Sequence, residues 1–151
     1  MADLNDDLAQ KIQWVVDLEQ IKTLMAKYCH GIDKKDEQTF MSIWADDADY
    51  LLPRGEGHGI DGVRELVRKV WREVPQCHHH ITNPVIDVQG EVATAATDVF
   101  YFRLTADGTR VLLSGTYAFE FVKRDERWQT RSVRFASLSR TARSSDSTGY
   151  S

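Results

Sequence analysis

The chain has 151 residues, 42% hydrophobic and 28% charged, as is ordinary for one globular domain with a real core. Its net charge of −4 argues against a nucleic-acid partner, which would require a basic surface. No apolar run approaches the roughly 18 residues that span a membrane, and the acidic, polar residues 1–7 do not resemble a signal peptide. We therefore expect a cytoplasmic protein that does not bind membranes, with Cys29 and Cys77 reduced.

The first half of the chain is mainly helical in its pattern. Apolar residues that recur at steps of three and four predict a long first helix, in which Gly31 is a plausible stop signal. The acidic residues 46–49 are expected to break the second helix before a short strand, and a glycine-rich loop precedes the third helix. The three expected helices cover residues 8–32, 37–45 and 60–74, the strand residues 50–52 and the loop residues 54–59.

The second half is different, because it contains four strand-like runs rich in Val, Phe, Tyr and Thr. They cover residues 77–88, 92–104, 110–123 and 128–139. Their short polar separators predict antiparallel hairpins, and Phe119 and Phe121 should share one face of a central strand. Helices first and strands later predict one α+β domain over residues 1–140, with helices covering one face of a curved antiparallel sheet. The Ser-rich tail over residues 141–151 is expected to be poorly ordered.

Asp33 follows the apolar stripe of the first helix and is the first candidate for chemistry. A carboxylate at a helix C-terminus lies against the negative end of the macrodipole, so it needs a cationic or hydrogen-bonding partner. The alternative is that Asp33 is a solvated residue in a turn before Lys34 and Lys35. The stripe itself also carries one hydroxyl, that of Tyr28.

Three consecutive histidines, His78, His79 and His80, open the first long strand. Because side chains alternate along a strand, His79 points to one face and the other two point to the opposite face. His78 and His80 could share a metal, but no third ligand lies nearby in sequence, so we expect no metal. The strand could also be merely polar. The third interpretation is that His79 faces a cavity and acts as a base whose tautomer Asp33 fixes.

Tyr50 and one arginine of the last strand are candidates for substrate binding. Tyr50 could donate a hydrogen bond to a substrate oxygen, or it could be an aromatic packing residue. Arg131 and Arg134 lie on opposite faces of a regular strand, so at most one of them faces the cavity. We take Arg131 as the candidate and leave the choice between the two open. No nucleophile elbow, phosphate-binding loop or dinucleotide-type glycine pattern is present.

With these residues in view, the chain resembles the SnoaL-like superfamily, which has the fold of nuclear transport factor two. The resemblance covers about residues 18–139 and rests on residues 28–50, on the histidine strand at residues 79–84 and on the hairpin that ends near Trp128. Members of the superfamily include scytalone dehydratase, bile acid 7α-dehydratase and hexachlorocyclohexane dehydrochlorinase. The resemblance implies a cone-shaped α+β barrel, in which a curved antiparallel sheet and three N-terminal helices enclose a pocket.

The resemblance also implies roles for single residues. Asp33 and His79 fall on the family's Asp–His dyad. Tyr28 falls where the bile acid dehydratase has a functional tyrosine, and Tyr50 falls where scytalone dehydratase has a tyrosine that polarises a carbonyl through water. The chain departs from the dehydrochlorinase, which has a lysine at the place of Tyr28 and a functional arginine near Val133.

These residues predict a cofactor-independent lyase of the dehydratase or dehydrohalogenase type. His79 would take a proton from a hydrophobic cyclic substrate, Asp33 would orient His79, and Tyr28, Tyr50 and Arg131 would bind the substrate. Two alternatives stay open, an isomerase or polyketide cyclase with the same dyad and a non-catalytic domain that binds small molecules. We expect a homo-oligomer, a dimer or a trimer, because the apolar outer face of such a sheet needs cover.

Overall fold

The computed structural model describes residues 4–143. Within this range the chain forms three helices, α1 (Leu4–Lys34), α2 (Glu37–Met41) and α3 (Gly59–Glu73). The six strands of this range are β1 (Trp44–Leu52), β2 (Gly55–His58), β3 (Gln76–Gln89), β4 (Val92–Leu104), β5 (Arg110–Arg124) and β6 (Arg127–Arg143). The helices precede the four long strands, which confirms the predicted α+β class. No helix in the described range is long and apolar enough to cross a membrane.

The six strands form one curved, open sheet in the order β2-β1-β6-β5-β4-β3. Neighbouring strands are antiparallel except β1 and β6, which are parallel. The sheet is therefore mixed rather than wholly antiparallel, because β1 joins it directly from the helices and not through a hairpin with β6. Register shifts in the β3–β4 and β5–β6 pairs mark bulges, which bend strands and increase their twist.

Strand β3 forms one edge of the sheet and is interrupted in its middle. Between Thr82 and Val85 its register against β4 shifts. Asn83 has a left-handed backbone with φ of 52°, and Pro84 has no N–H to donate. The edge strand is therefore two shorter ladders joined by a kink.

The core lies between the helices and one face of the sheet. Phe119 and Phe121 of β5 are buried in it, while Glu120 between them is exposed, as the predicted alternation requires. Ile21 and Met25 of α1 pack into the same cluster. The inward face of the sheet and the second half of α1 thus share one apolar core.

The first half of α1 departs from the predicted stripe. Trp14 belongs to the apolar stripe of the sequence but is 51% exposed, and the helix buries Asp17 instead. Asp17 Oδ1 accepts hydrogen bonds from Trp128 Nε1 at 2.8 Å and from Lys123 Nζ at 3.1 Å. Burial alone would raise the pKa of Asp17, but hydrogen bonds from Trp128, Lys123 and Gln13 hold that pKa below its usual value. This charged contact attaches α1 to the β5–β6 hairpin.

The second helix is shorter, and the strand after it longer, than the sequence predicts. Helix α2 ends at Met41 and β1 begins at Trp44, so the acidic residues 46–49 lie within a strand instead of breaking a helix. Both carboxylate oxygens of Asp47 accept hydrogen bonds from Arg124, each at 2.9 Å. The sequence pattern missed this strand because the cation that stabilises it comes from β5, far along the chain. The predicted glycine-rich loop likewise forms β2 and the first residue of α3.

The boundary between the domain and its expected tail also shifts. Strand β6 continues to Arg143, past the predicted end of the domain at residue 140. The remainder of the expected tail, residues 144–151, lies outside the described residues.

Candidate functional site

Asp33 lies in the last turn of α1, whose end is fixed by backbone geometry. Lys35 has a left-handed φ of 54°, and the N–H of Asp36 donates to the carbonyl of Gly31 at 2.9 Å. This is the Schellman arrangement that commonly ends helices. Gly31 is therefore inside the helix rather than its stop signal. It is needed there for packing, because a Cβ at this position would lie 2.7 Å from the Cβ of Phe40.

The Asp33 carboxylate is held by two hydrogen bonds from His79 of β3. The backbone N–H of His79 donates to Oδ2 at 2.9 Å, and the ring Nδ1 lies 2.5 Å from Oδ1. The side chain of Asp33 is only 11% exposed and that of His79 only 4% exposed. Burial would raise the pKa of Asp33, but hydrogen bonds from His79 and from the Cys77 thiol hold that pKa below its usual value. These donors compensate the carboxylate that the end of the helix disfavours.

The protonation of the His79 ring follows from this contact. An ionised carboxylate can only accept, so Nδ1 carries the proton and, in the neutral ring, Nε2 keeps a free lone pair. His79 lines a cavity, and among residues 4–143 its Nε2 has no hydrogen-bond partner. The ring packs against Tyr101, with centroids 4.3 Å apart, whereas His78 and His80 are exposed. His79 therefore offers one basic nitrogen to a ligand in the cavity.

The cavity has a volume of about 280 Å³ and lies between the sheet and the helices α1 and α3. Its walls are mostly apolar, with Ile32 of α1, Val70 of α3 and Leu113 and Phe135 of the sheet among them. The polar side chains in the wall are Tyr50, His79, Tyr101, Tyr117, Ser137, Arg54, Arg103 and Arg140. A cavity of this kind suits a small, largely apolar ring that a few polar groups orient.

Three tyrosine hydroxyls meet beside the cavity. Tyr28 Oη donates to Tyr117 Oη at 3.4 Å and lies 3.1 Å from Tyr50 Oη. Tyr28 is fully buried and does not line the cavity, whereas Tyr50 and Tyr117 do. Burial raises the pKa of all three phenols, which therefore stay protonated. Because each hydroxyl has one proton, a Tyr28 that donates to Tyr117 accepts from Tyr50, and in that arrangement the proton of Tyr117 is available to a cavity ligand.

The expectation that Arg131 faces the cavity is wrong. Arg131 is exposed, and Arg134 is exposed as well, so neither lines the cavity. The reason is a bulge in β6, where Thr130 pairs with Phe121 and Ser132 with Glu120, which leaves Arg131 as the extra residue. Regular alternation therefore fails at this point of the strand.

Tyr117 and Arg103 are the cavity residues of most chemical interest that sequence reasoning missed. Arg103 lies on the same face of β4 as Val99 and Tyr101, opposite the exposed Phe100. Strand parity from these apolar neighbours was therefore a usable signal for Arg103. Tyr117 shared parity with the predicted core residues of β5, but nothing in the sequence separates a cavity tyrosine from a packing one.

A metal could be held by a different set of residues from the one considered first. His78 and His80 are exposed, but the possible ligand atoms of Asp33, Cys77 and His79 all lie within 4.8 Å of one another. Burial raises the pKa of the Cys77 thiol to about 12, so the thiol is protonated in the absence of a metal ion. Binding an ion there would also break the contact between Asp33 and His79. We therefore read these three residues as a hydrogen-bonded cluster.

Solved structures of other proteins share this fold. A hexachlorocyclohexane dehydrochlorinase from Novosphingobium barchaimii LL02 superposes with a TM-score of 0.84 and 23% identity, covering 89% of this chain and 95% of that one. An NTF2-like protein with a cystatin-like fold from Novosphingobium aromaticivorans gives a TM-score of 0.76 and 23% identity, covering 91% and 92% of the two chains. The molecule is thus an NTF2-like α+β protein with a cavity under a curved sheet.

Sequence comparison gives the family. Residues 14–134 match the SnoaL-like domain, so this chain belongs to the SnoaL-like family. Hexachlorocyclohexane dehydrochlorinase 1 of Sphingobium indicum is 27% identical over 113 residues, which cover 72% of this chain and 73% of that protein. The predicted family is confirmed, and membership favours a lyase or isomerase type of activity.

Proposed function

We propose that this protein is a cofactor-independent lyase that acts on a small, hydrophobic cyclic substrate. The observation that carries the proposal is the buried contact between Asp33 and His79, with Nδ1 and Oδ1 2.5 Å apart, on the wall of a mostly apolar cavity. The likeness to dehydrochlorinases supports an elimination rather than a hydrolysis.

In the proposed step, Nε2 of His79 takes a proton from a ring carbon. The electrons of the broken C–H bond form the double bond, and the leaving group departs from the adjacent carbon with its own bonding electrons. The imidazolium that forms is stabilised by the Asp33 carboxylate, which already accepts the Nδ1 proton. A halide leaves as the anion, whereas a hydroxyl leaves as water after taking the proton back from His79. General-base catalysis of this kind needs the base and the C–H bond within hydrogen-bond reach.

The tyrosines supply the polar end of the proposed site. Tyr117 donates its free proton to the atom on which negative charge develops, either a substrate oxygen or the leaving group. Tyr50, on the same wall, accepts from the substrate or donates when its bond to Tyr28 breaks. Tyr28 acts through these two residues, because its own hydroxyl is buried and does not reach the cavity.

A screen of halogenated and hydroxylated cyclic compounds, followed by NMR, tests the reaction class. With an active compound in hand, His79→Ala should lower kcat by about 10²- to 10⁴-fold, the usual contribution of a general base. Asp33→Asn should also lower kcat steeply, because an amide does not stabilise the imidazolium. The matched control is His78→Ala, since His78 is adjacent in the strand but exposed.

Circular dichroism first establishes that each variant is folded. If folded His79→Ala retains near-wild-type turnover while His78→Ala behaves like the wild type, the proposed mechanism is wrong. The same assay in D₂O separates elimination from isomerisation. Elimination releases halide or water and gives an alkene, whereas an isomerase retains all substituents and moves a double bond or a hydrogen.

A further inference from the structure

Arg103 is a buried cation that the Asp33–His79 chemistry does not use. Its side chain lines the cavity, yet the residue is only 8% exposed. Its Nε has no hydrogen-bond partner, and no carboxylate of residues 4–143 forms a salt bridge with it. A guanidinium is always charged, and burying such a charge without a partner is costly. The cost is offset when a ligand supplies the missing acceptor.

The other charged groups of the cavity wall have the same sign. Arg54 and Arg140 also line the cavity, and no Asp or Glu does so in the described part of the chain. Arg54 is neutralised by Glu73, whose Oε2 lies 2.7 Å from Arg54 Nη1. Arg140 lies opposite Leu113 in the β5–β6 ladder and is exposed. Of the three cavity-lining arginines, Arg103 is therefore the buried one that no carboxylate of residues 4–143 neutralises.

The position of Arg103 relative to His79 limits the size of the ligand. His79 pairs with Tyr101 across β3 and β4, and Arg103 is two residues further along β4 on the same face. Diagonal neighbours of this kind are roughly 7–8 Å apart. An anionic group bound by the guanidinium thus lies about one ring width from a carbon beside His79 Nε2.

We propose that Arg103 binds an anionic group of the ligand, so that the cavity selects cyclic carboxylates or similar anions over neutral rings of the same shape. A carboxylate fits the planar guanidinium through two parallel N–H···O bonds, and the apolar wall receives the ring. The idea that the bound carboxylate is also a substrate rests on the proposed function. The binding of an anion at Arg103 is independent of the proposed function.

The test compares matched pairs of ligands that differ in charge and hardly in shape. Benzoate, cyclohexanecarboxylate and 2-naphthoate are titrated into the full-length protein beside their amides, with calorimetry or protein NMR as the readout. Charge-assisted hydrogen bonds predict that the best carboxylate binds about 10- to 100-fold more tightly than its amide. If the wild type binds no carboxylate, or binds acid and amide equally, the proposal is overturned.

Variants assign the preference to one residue. Arg103→Met keeps an unbranched, apolar side chain of similar reach and should abolish the preference for the carboxylate while amide affinity is unchanged. Arg103→Lys keeps the positive charge but lacks the planar guanidinium, so it should retain part of the preference for the carboxylate. This variant replaces Arg103→Met in the test if Arg103→Met does not fold. Arg134→Met is the control, since Arg134 is exposed and lies outside the cavity wall. A preference that survives in folded Arg103→Met overturns the assignment.

The proposed roles of the Asp33–His79 pair and of the anion site at Arg103 can be refuted independently. A preserved preference, together with no turnover in the screen of halogenated and hydroxylated cyclic compounds, would leave Arg103 as an anion-binding residue and refute the proposed lyase reaction.

Discussion

Tyr28, Tyr50 and Tyr117 differ in how freely each can use its hydroxyl proton. When Tyr28 donates to Tyr117 and accepts from Tyr50, only Tyr117 has a hydroxyl proton that no other tyrosine of the three accepts. A single hydrogen bond to developing charge contributes about 1.5–3 kcal/mol, or roughly 10- to 100-fold in rate. The geometry therefore ranks the three phenols by their expected effect on turnover.

We predict that Tyr117→Phe lowers kcat by about 10- to 100-fold and that Tyr50→Phe costs less. Both should cost less than His79→Ala, because each removes one hydrogen bond and leaves the base in place. Tyr28→Phe removes no hydroxyl from the cavity wall and should have the smallest effect on kcat of the three. Steady-state kinetics on the identified substrate measures this order. Equal turnover of Tyr117→Phe and the wild type would contradict the role given to its proton.

We also predict that activity requires no metal ion. A metal ion bound among Asp33, Cys77 and His79 would have to displace the hydrogen bonds between Asp33 and His79 and deprotonate the Cys77 thiol. Turnover should survive prolonged treatment with a chelator, and elemental analysis should find no stoichiometric zinc. Loss of activity that added Zn²⁺ restores would instead place an ion among Asp33, Cys77 and His79.

The position of a single side chain was predictable from the sequence where its own strand or helix determines that position. The alternation of a strand separated His79 from His78 and His80, and it was reliable because the backbone there is regular. Asp33 was identifiable because a carboxylate at a helix end needs a partner. Arg103 was predictable by the same alternation. That its Nε has no hydrogen-bond partner among residues 4–143 was not, since a missing contact is visible only when the whole fold is assembled.

The attachment of α1 to the β5–β6 hairpin through Asp17 is an interaction between elements, and it depends on pH. The pKa of Asp17 is lowered in the folded protein, so its stabilising contribution is present above the unfolded pKa, about 3.9. That contribution is lost as the pH falls through the lower, folded value. Acid therefore weakens the hold of the hairpin on α1.

We predict that Asp17→Asn lowers the free energy of unfolding by about 1.5–3 kcal/mol at pH 7, because charge-assisted hydrogen bonds are lost. Toward pH 3 the difference from the wild type should shrink, since below its unfolded pKa, about 3.9, the carboxylate takes up a proton in the unfolded chain. Urea denaturation at both pH values measures this. Glu19→Gln is the control, because Glu19 is exposed and its ion pair with Lys22 contributes little. An equal difference at the two pH values would contradict the prediction.

Elements were predictable where the pattern is periodic and were missed where distant partners decide. The four long strands are close to their predicted bounds because their alternation is strong. Strand β1 was cut short because its acidic residues resemble a break, and the pairing of Asp47 with Arg124 has no signal in the local sequence. Arg131 was placed on the wrong face because a bulge in β6 has no signal in a single sequence.

At the scale of the whole molecule, apolar side chains remain exposed on the outer face of the sheet. Phe100 of β4 is 55% exposed and Leu112 of β5 is 45% exposed, and they lie near each other, since Leu112 pairs with Phe102. Exposed apolar patches of this kind mark interaction surfaces. We propose that a second copy of the chain covers this face.

We predict that the protein sediments as a dimer or trimer at micromolar concentration rather than as a 17.3 kDa monomer. The double variant Phe100→Asp and Leu112→Asp should shift the distribution toward the monomer, because charge on this face opposes its burial. Lys69→Asp is the control, because Lys69 is an exposed residue of α3. A wild type that sediments only at the monomer mass would contradict the prediction.

The kink in β3 bears on how copies of this protein can meet. An edge strand of this length could accept a strand from another molecule, which is the usual route to uncontrolled fibre growth. The left-handed Asn83 and the missing donor of Pro84 interrupt the row of backbone groups that an incoming strand would need. Self-association should therefore proceed face to face through side chains, a geometry that closes after a few copies, rather than edge to edge without limit.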